Sequence, residues 1–341
     1  MRFAPLLKQY LWGGRRLGSL FGKPIGDGDD YAESWELVDH DDGQSVVADG
    51  PLAGATLGEL VRDHREELFG RHSVAVESGL QTEGRPRFPL LFKLLDANRT
   101  LSVQVHPNDA QGAELDPPDL GKTEAWVVLA AEPGSKIYAG LREGVDRDVL
   151  AAALQAGACD ECLHVIEPDV GDCVFIPAGT VHALGEGLVI GEIQQASNTT
   201  FRLFDWNRVG KDGKARQLHI EESLAVTDYQ QGPVQPQTPA ELSPGADRPG
   251  VDRPGVDRLV ECDKFVLDRR RLGGEGAATA ALPADDRFRI LCNVVGETTL
   301  SWESTTLSLP AGATALVPAA CAGAELSCDG EATLLEMYLP S

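Results

Sequence analysis

The sequence lacks any run of about 18 consecutive apolar residues, the length that a transmembrane helix requires. Its opening segment, MRFAPLLKQYLWGGRR, also lacks the apolar stretch and the small-residue cleavage site of a secretory signal peptide. From these two absences we expect a cytoplasmic protein that does not act at a membrane. The length of 341 residues suits two globular domains with substantial cores.

A disulfide framework is also missing, because the chain has seven cysteines, an odd number, spread over a long sequence. Cys159 and Cys162 form one CxxC motif. A structural zinc site would need a second such pair at suitable spacing, and a redox pair would need a thioredoxin-like βαβ context. The sequence has neither, so we expect reduced thiols without a chemical role.

Basic residues are in the minority: 30 lysines and arginines against 53 aspartates and glutamates give a formal net charge of −23. This balance disfavours nucleic acid as a partner, because neutralising its phosphates requires a basic face. If a protein this acidic binds a phosphorylated ligand, it needs a local basic pocket that overcomes the negative electrostatic potential of the rest of the molecule. No feature of the sequence indicates an obligatory protein partner.

Helix signals are few. Residues 56–70 predict one helix, with a capping box at Thr56 and Glu59 and an apolar face that includes His64. Residues 146–157 and part of 219–229 predict two more. The rest of the first 230 residues is mainly short segments rich in β-branched and aromatic residues, separated by turns, which is typical of an antiparallel sandwich or jelly roll. These segments are FPLLFKLLDA, LSVQVH, TEAWVVLAA, SKIYAGL, CVFIPA, LVIGEIQQ and TTFRLFDW.

Residues 231–257 differ from the remainder, because they are rich in proline and glycine and contain a tandem DRPGV repeat. We interpret them as a linker between a catalytic domain at 1–230 and a C-terminal β-barrel-like domain at 258–341. The last histidine of the chain is His219, so we expect the C-terminal domain to be free of metal.

Two short segments carry polar side chains at strand spacing. In LSVQVHPND, the alternation of a strand turns Ser102, Gln104 and His106 to one side. In GKTEAW, Lys122 and Glu124 share one face. Each segment alone is also compatible with an exposed sheet face or a surface ion pair.

A third segment, GDCVFIPAGTVHAL, is more specific. Gly171, Pro177, Gly179 and His182 have the spacing G-x5-P-x-G-x2-H, which resembles the second conserved motif of the cupin family. The pattern predicts a strand, a tight turn, and a strand that brings His182 inward. Cupins usually have an asparagine four residues beyond this histidine, and here Glu186 takes that place.

The order QVHPND, GKTEAW and PAGTVHAL, with YLWGG and AESWEL upstream and NTTFRLFDWNR downstream, resembles type I mannose-6-phosphate isomerase over about residues 1–230, in its short bacterial form. The resemblance implies two cupin-type jelly-roll β-barrels and one zinc ion per chain. It implies four zinc ligands: Gln104, His106, Glu124 and His182. Two imidazoles and a carboxylate are a usual catalytic zinc set, although the same set also suits iron(II).

The resemblance also implies a reaction, in which mannose 6-phosphate and fructose 6-phosphate interconvert by proton transfer between C1 and C2. The matching catalytic residues are Lys122, Glu192 and Arg202, and the matching substrate contacts are Ser102, Lys122 and Arg208. Either Glu192 or Lys122 could be the base, whereas a guanidinium does not deprotonate in proteins. Arg208 is either a phosphate contact or a solvated loop charge.

Two other functions remain open at this point. A non-catalytic cupin that binds sugar phosphates would retain the metal without turnover, and an iron cupin oxygenase would not need Lys122 or Arg202. The combination of those two residues with Glu192 and the full ligand set favours the isomerase.

Overall fold

Strands make up most of the regular structure, as the sequence predicts, and all of their pairings are antiparallel. The structure, a computed structural model, describes residues 1–74, 81–82, 85–209, 213–238, 255–274 and 278–341. Among these residues, no helix is long and apolar enough to cross a membrane.

Two sheets form the N-terminal half. Sheet I has five strands, in the spatial order Leu163–Ile166, Ile137–Leu141, His182–Leu184, Val103–Val105 and Phe201–Phe204. Sheet II has six strands, in the order Cys173–Ile176, Glu124–Ala131, Leu188–Gln195, Leu90–Ala97, Tyr31–Leu37 and Leu6–Gly14. Apolar side chains from both sheets, among them Ile137 and Leu184 of sheet I and Leu95, Val128 and Ile190 of sheet II, form one shared core.

Two further sheets form the C-terminal half. Sheet III has the order Val256–Glu261, Val266–Leu272, Ala332–Tyr338, Arg289–Val295 and Thr314–Val317, and sheet IV has the order Thr279–Ala281, Glu325–Ser327, Glu297–Trp302 and Thr305–Pro310. Sheets III and IV share their own core. The largest cluster, however, joins sheets II and III, where Phe92 and Leu94 belong to the same core as Leu267, Leu335 and Met337.

Short elements complete the described chain. The paired two-residue strands are Phe3–Ala4 with Val46–Val47, Asp39–His40 with Gly43–Gln44, and Gln81–Thr82 with Arg85–Pro86. The helices are Arg16–Phe21, Leu57–Asp63, Arg65–Phe69, Asp109–Ala113, Arg147–Ala156 and Ile220–Val226, with 3₁₀ turns at Gly70–His72 and Cys159–Cys162.

The predicted helix over 56–70 is wrong in one respect, because the chain forms two helices that break at His64. The capping box at Thr56 and Glu59 is present, but His64 has a non-helical backbone and its side chain is exposed. The helix after the break buries Phe69 against Phe88 and Phe288, with ring centroids 5.6 Å apart in both pairs. Aromatic packing in the core therefore sets the direction of the second helix.

Helix Arg147–Ala156 follows its sequence prediction, with Asp146 as N-cap and Gly157 as a left-handed C-cap. It buries Leu150 against the outer face of sheet I, where helix Ile220–Val226 also packs.

The predicted linker remains a prediction. Its residues 239–254, which include most of the DRPGV repeat, lie outside the described residues. The preceding residues run along the N-terminal half, because the amide of Val234 donates to the carbonyl of Ala139 and that of Gln237 donates to the carbonyl of Cys173.

Candidate active site

Strand pairing brings the polar side chains of both N-terminal sheets together. Within sheet I, Gln104 is the cross-strand partner of His182 on one side and of Arg202 on the other. Within sheet II, Glu124 is the first residue of its strand and pairs with Gln194. The turn before His182 contains Gly179, whose positive φ of 86° a β-carbon would strain.

His106, Glu124 and His182 form a compact buried cluster whose ligand atoms all lie within 4.8 Å of one another. The Nε2 atom of His106 is 3.6 Å from one Glu124 oxygen, and the Nε2 atom of His182 is 3.4 Å from the other. Each of the three residues exposes at most 1% of its surface. Three of the four predicted metal ligands therefore meet, and Gln104 lines the adjoining cavity.

Both histidines are held through their other ring nitrogen. Nδ1 of His106 lies 2.9 Å from the carbonyl oxygen of Thr199, and Nδ1 of His182 lies 2.8 Å from that of Thr180. A carbonyl can only accept, so Nδ1 is the protonated nitrogen and each Nε2 is left as a lone-pair donor that faces Glu124.

This cluster fits a metal ion better than a hydrogen-bonded core. His182 Nε2 is buried and has no hydrogen-bond partner among the described residues. Burial lowers the pKa of His182 to about 4 and that of His106 well below its usual value, so both rings are neutral. Burial also raises the pKa of Glu124 to about 7, against the opposing charge of Lys122. A divalent cation would supply the missing partner and stabilise the carboxylate.

Lys122 is not part of a surface ion pair. Its Nζ lies 2.8 Å from a Glu124 oxygen and 3.0 Å from His106 Nε2, and the side chain is buried. The surface alternative for Lys122 and Glu124 is therefore wrong, and the lysine places a positive charge directly beside the candidate metal ligands.

Glu192 lies in the same part of sheet II, in a buried row of side chains. It pairs across strands with Lys93 and with Trp126. Lys93 Nζ is 3.2 Å from one of its carboxylate oxygens, and the indole of Trp126 donates to the other at 3.0 Å. Burial opposes ionisation of Glu192, but Lys93 and Lys122 outweigh it and lower the pKa of this carboxyl.

Sequence reasoning missed Lys93. The signal was available, because Lys93 is the one charged residue within FPLLFKLL, and Glu192 is likewise alone within LVIGEIQQ. A buried lysine requires a buried partner, and antiparallel register brings the two lone charges together.

A cavity of about 250 Å³ lies over these residues. Its walls include the predicted residues Ser102, Gln104, Lys122, Glu192 and Arg202. Arg202 is half-buried, and its Nε donates to the Ser102 hydroxyl at 3.0 Å. Burial, followed by the nearby Arg216, lowers the pKa of Arg202. Arg216, a second residue missed from the sequence, lines the same cavity.

Arg208 lines a different, adjoining cavity of about 400 Å³. Its guanidinium donates to the Thr100 carbonyl at 2.6 Å and to the Asp205 carboxylate at 2.5 Å. The two cavities share Tyr10, Trp12 and Arg216 in their walls.

Comparisons with known proteins point to a single family. The family model described as "Phosphomannose isomerase type I, catalytic domain" matches residues 1–125. The mannose-6-phosphate isomerase ManA of Bacillus subtilis is 35% identical over 295 residues, which cover 86% of this chain and 85% of that protein. A mannose-6-phosphate isomerase of Streptococcus mutans is 42% identical over 216 residues, covering 63% of this chain and 64% of that protein.

A crystal structure of the mannose 6-phosphate isomerase of Bacillus subtilis superposes with a TM-score of 0.83 at 28% identity, covering 99% of both chains. A structure from Archaeoglobus fulgidus has a TM-score of 0.74 at 24% identity and supports the fold alone.

Proposed function

The chain belongs to the type I phosphomannose isomerase family, and we propose from this membership and from its buried site that it interconverts mannose 6-phosphate and fructose 6-phosphate. The reaction is an aldose–ketose isomerisation, in which a proton moves between C1 and C2 of the open-chain sugar. The observation that carries the proposal is the buried cluster of His106, Glu124 and His182 beside a cavity that also exposes Lys122 and Glu192.

The metal is proposed to be zinc, one ion per chain, held by His106, Glu124 and His182 with the amide oxygen of Gln104 as a fourth ligand. Two imidazoles and one carboxylate are a usual catalytic zinc set, and the cavity beside them leaves room for substrate. When bound, zinc stabilises negative charge on the sugar oxygens as the carbon-bound proton leaves.

Glu192 is our candidate for the base that accepts the carbon-bound proton. Its lowered pKa keeps the carboxylate ionised at neutral pH, and it lines the cavity. Lys93 and Trp126 hold its two oxygens, so the carboxylate has a fixed position. Lys122 then acts as a cation that stabilises charge on the enediolate oxygen, which is the alternative to its acting as the base.

The remaining polar side chains are proposed to bind substrate. Ser102 holds the Arg202 guanidinium by a hydrogen bond, and Arg202 supplies permanent positive charge inside an acidic protein. Arg208 contacts the phosphate only if the substrate extends into the adjoining cavity, which also has Arg216 in its wall.

The architecture is proposed to be two cupin-type jelly-roll barrels. Each half of the chain consists of a pair of antiparallel sheets around its own core, in keeping with that architecture.

A coupled assay tests the activity directly. The unaltered chain is expected to convert mannose 6-phosphate to fructose 6-phosphate, and the His182→Ala variant is expected to lose both metal and turnover. Binding of mannose 6-phosphate without conversion would instead support a non-catalytic binding protein, and oxygen consumption with loaded iron would support an oxygenase.

A further inference from the structure

The ring of His106 depends for its orientation on residues 197–199, a short connection between two strands that we call the turn. Its Nδ1 donates to the main-chain carbonyl of Thr199, and this carbonyl belongs to the segment 197–199 rather than to a strand. A carbonyl in such a segment is fixed only as well as the segment itself, so something must hold the turn in place.

Asp119 holds this turn. One of its carboxylate oxygens accepts hydrogen bonds from the Ser197 hydroxyl at 2.9 Å, the Thr199 hydroxyl at 2.7 Å and the Asn198 amide at 3.3 Å. The other oxygen accepts from the Leu120 amide at 2.8 Å. The three residues of the turn thus converge on a single carboxylate oxygen.

The environment of Asp119 keeps this carboxylate charged and fixed. Its side chain is only 13% exposed, and His40 Nε2 lies 3.7 Å from its second oxygen. Burial would raise its pKa, but the nearby His40 and the hydrogen bonds from Thr199 and Ser197 outweigh burial and lower it. Charge-assisted hydrogen bonds of this kind are stronger than neutral ones and restrict the groups they join.

We propose that Asp119 is a positioning residue for the metal centre, which acts on His106 through the turn 197–199 and the carbonyl of Thr199. Asp119 contacts neither the metal ligands nor the cavity of about 250 Å³, and no motif in the sequence points to it. The proposal rests on the metal site proposed above. It follows from the general rule that partners outside a metal's ligands orient those ligands and contribute to affinity.

The test is the zinc affinity of the full chain, measured by equilibrium competition between the metal-free protein and a chromophoric chelator. Asp119→Asn keeps the size of the side chain but removes its charge and one acceptor oxygen. We expect its dissociation constant for zinc to rise about tenfold, the lower end of the range for such partners. Thr199→Val removes only the hydroxyl that donates to Asp119 and is expected to weaken zinc binding about threefold or more. The double variant is expected to bind no more weakly than Asp119→Asn, because both changes break the same connection.

Asp42→Asn is the matched control. The carboxylate of Asp42 accepts from the Asn198 side chain at 2.7 Å, so it contacts the same turn without holding Thr199. We expect its zinc affinity to stay within about twofold of the unaltered chain, the usual result for a partly exposed contact that holds no ligand.

Melting of the metal-free proteins separates positioning from stability. If both Asp119→Asn and Thr199→Val melt earlier but bind zinc as the unaltered chain does, the proposal is overturned and Asp119 is purely structural. If Asp119→Asn does not fold, Thr199→Val alone decides in the same way. Failure of the unaltered chain to bind zinc would contradict the metal assignment itself and overturn this proposal with it.

Discussion

At the scale of single residues, the site depends on charges that are buried in pairs. Lys122 lies against Glu124, and Lys93 lies against Glu192, all four with almost no exposure. A buried charge without a partner is costly. Replacing one member of a pair therefore also destabilises the charged form of the other member. The two pairs nevertheless have different roles, since only the Lys122–Glu124 pair contacts His106 and His182.

Substitutions at Lys122 and Glu124 separate metal binding from chemistry. Glu124→Gln replaces an anionic ligand by a neutral amide, so zinc affinity should fall markedly and added zinc should restore part of the activity. Lys122→Met removes a positive charge 2.8 Å from the ligand carboxylate, so zinc should be retained while turnover falls by a factor on the order of 100. Zinc content and kcat of both variants, with and without added zinc, check this. Normal turnover of Lys122→Met would contradict the assignment of this residue to the catalytic face.

A second substitution tests the electrostatic control of Glu192. Lys93 lowers the pKa of this carboxyl, so Lys93→Met should raise the pKa and move the acidic limb of the kcat/KM profile to higher pH. The shift should be on the order of one pH unit. Lys8→Met is the control, because Lys8 lies over the Trp35 ring at 4.5 Å, as Lys93 does at 5.1 Å, but is only partly buried. An unchanged acidic limb in Lys93→Met would exclude Glu192 as the group that titrates there.

Sequence motifs identify the candidate metal ligands, but they do not identify the residues that hold those ligands in position. His106, Glu124 and His182 could be found because they stand in QVH, KTE and PAGTVH at interpretable spacing. Lys93 is recognisable in the sequence as a lone charge within an apolar strand, but its partner Glu192 is set by the register between strands. Asp119 has no such signal, since its role depends on a turn 80 residues away in the chain. Such contacts are properties of the tertiary structure.

At the scale of elements, alternation within strands predicts most of the site. Strand Leu188–Gln195 has the bounds expected from its composition. The break at His64 could not be predicted, because local helix propensity continues through it and aromatic packing overrides that propensity.

Gly140, in sheet I, lies so close to a neighbouring segment that its replacement tests how tightly the two pack. Gly140 has a φ of 79°, and a β-carbon there would overlap the carbonyl oxygen of Gly232, in the segment after helix Ile220–Val226. Gly140→Ala should therefore lower the free energy of unfolding by about 2 to 4 kcal/mol. The loss has two sources, the strained backbone at residue 140 and the displacement of the segment that contains Gly232.

Gly144→Ala separates these two contributions. Gly144 has a similar φ of 80°, but no described atom lies within 4 Å of its added β-carbon. This variant should lose only about 1 kcal/mol in denaturant unfolding. Equal losses in the two variants would show that the contact with Gly232 does not matter.

At the scale of the whole molecule, the two halves of the chain are joined by a common core between sheets II and III. Contacts of this kind argue against studying the halves as separate pieces, since each would expose apolar surface. They also hold the halves together independently of the DRPGV repeat.

Removing one DRPGV unit, residues 247–251, should consequently leave kcat/KM within about twofold, because loop-closure entropy changes only slowly with length. Removing residues 233–237, an equal length that includes the contacts of Val234 and Gln237, should instead lower Tm by more than about 5 °C. Loss of activity with unchanged melting in the first variant would assign the repeat to the active site.

The most direct test of the central claim is a titration of the metal-free protein with zinc while the conversion of mannose 6-phosphate to fructose 6-phosphate is followed. The central claim is that one ion, bound by His106, Glu124 and His182, supports the isomerisation. Activity should rise from near zero in proportion to added zinc and reach its maximum at one equivalent per chain. Full activity of the metal-free protein, or a maximum that requires a second equivalent, would contradict the claim.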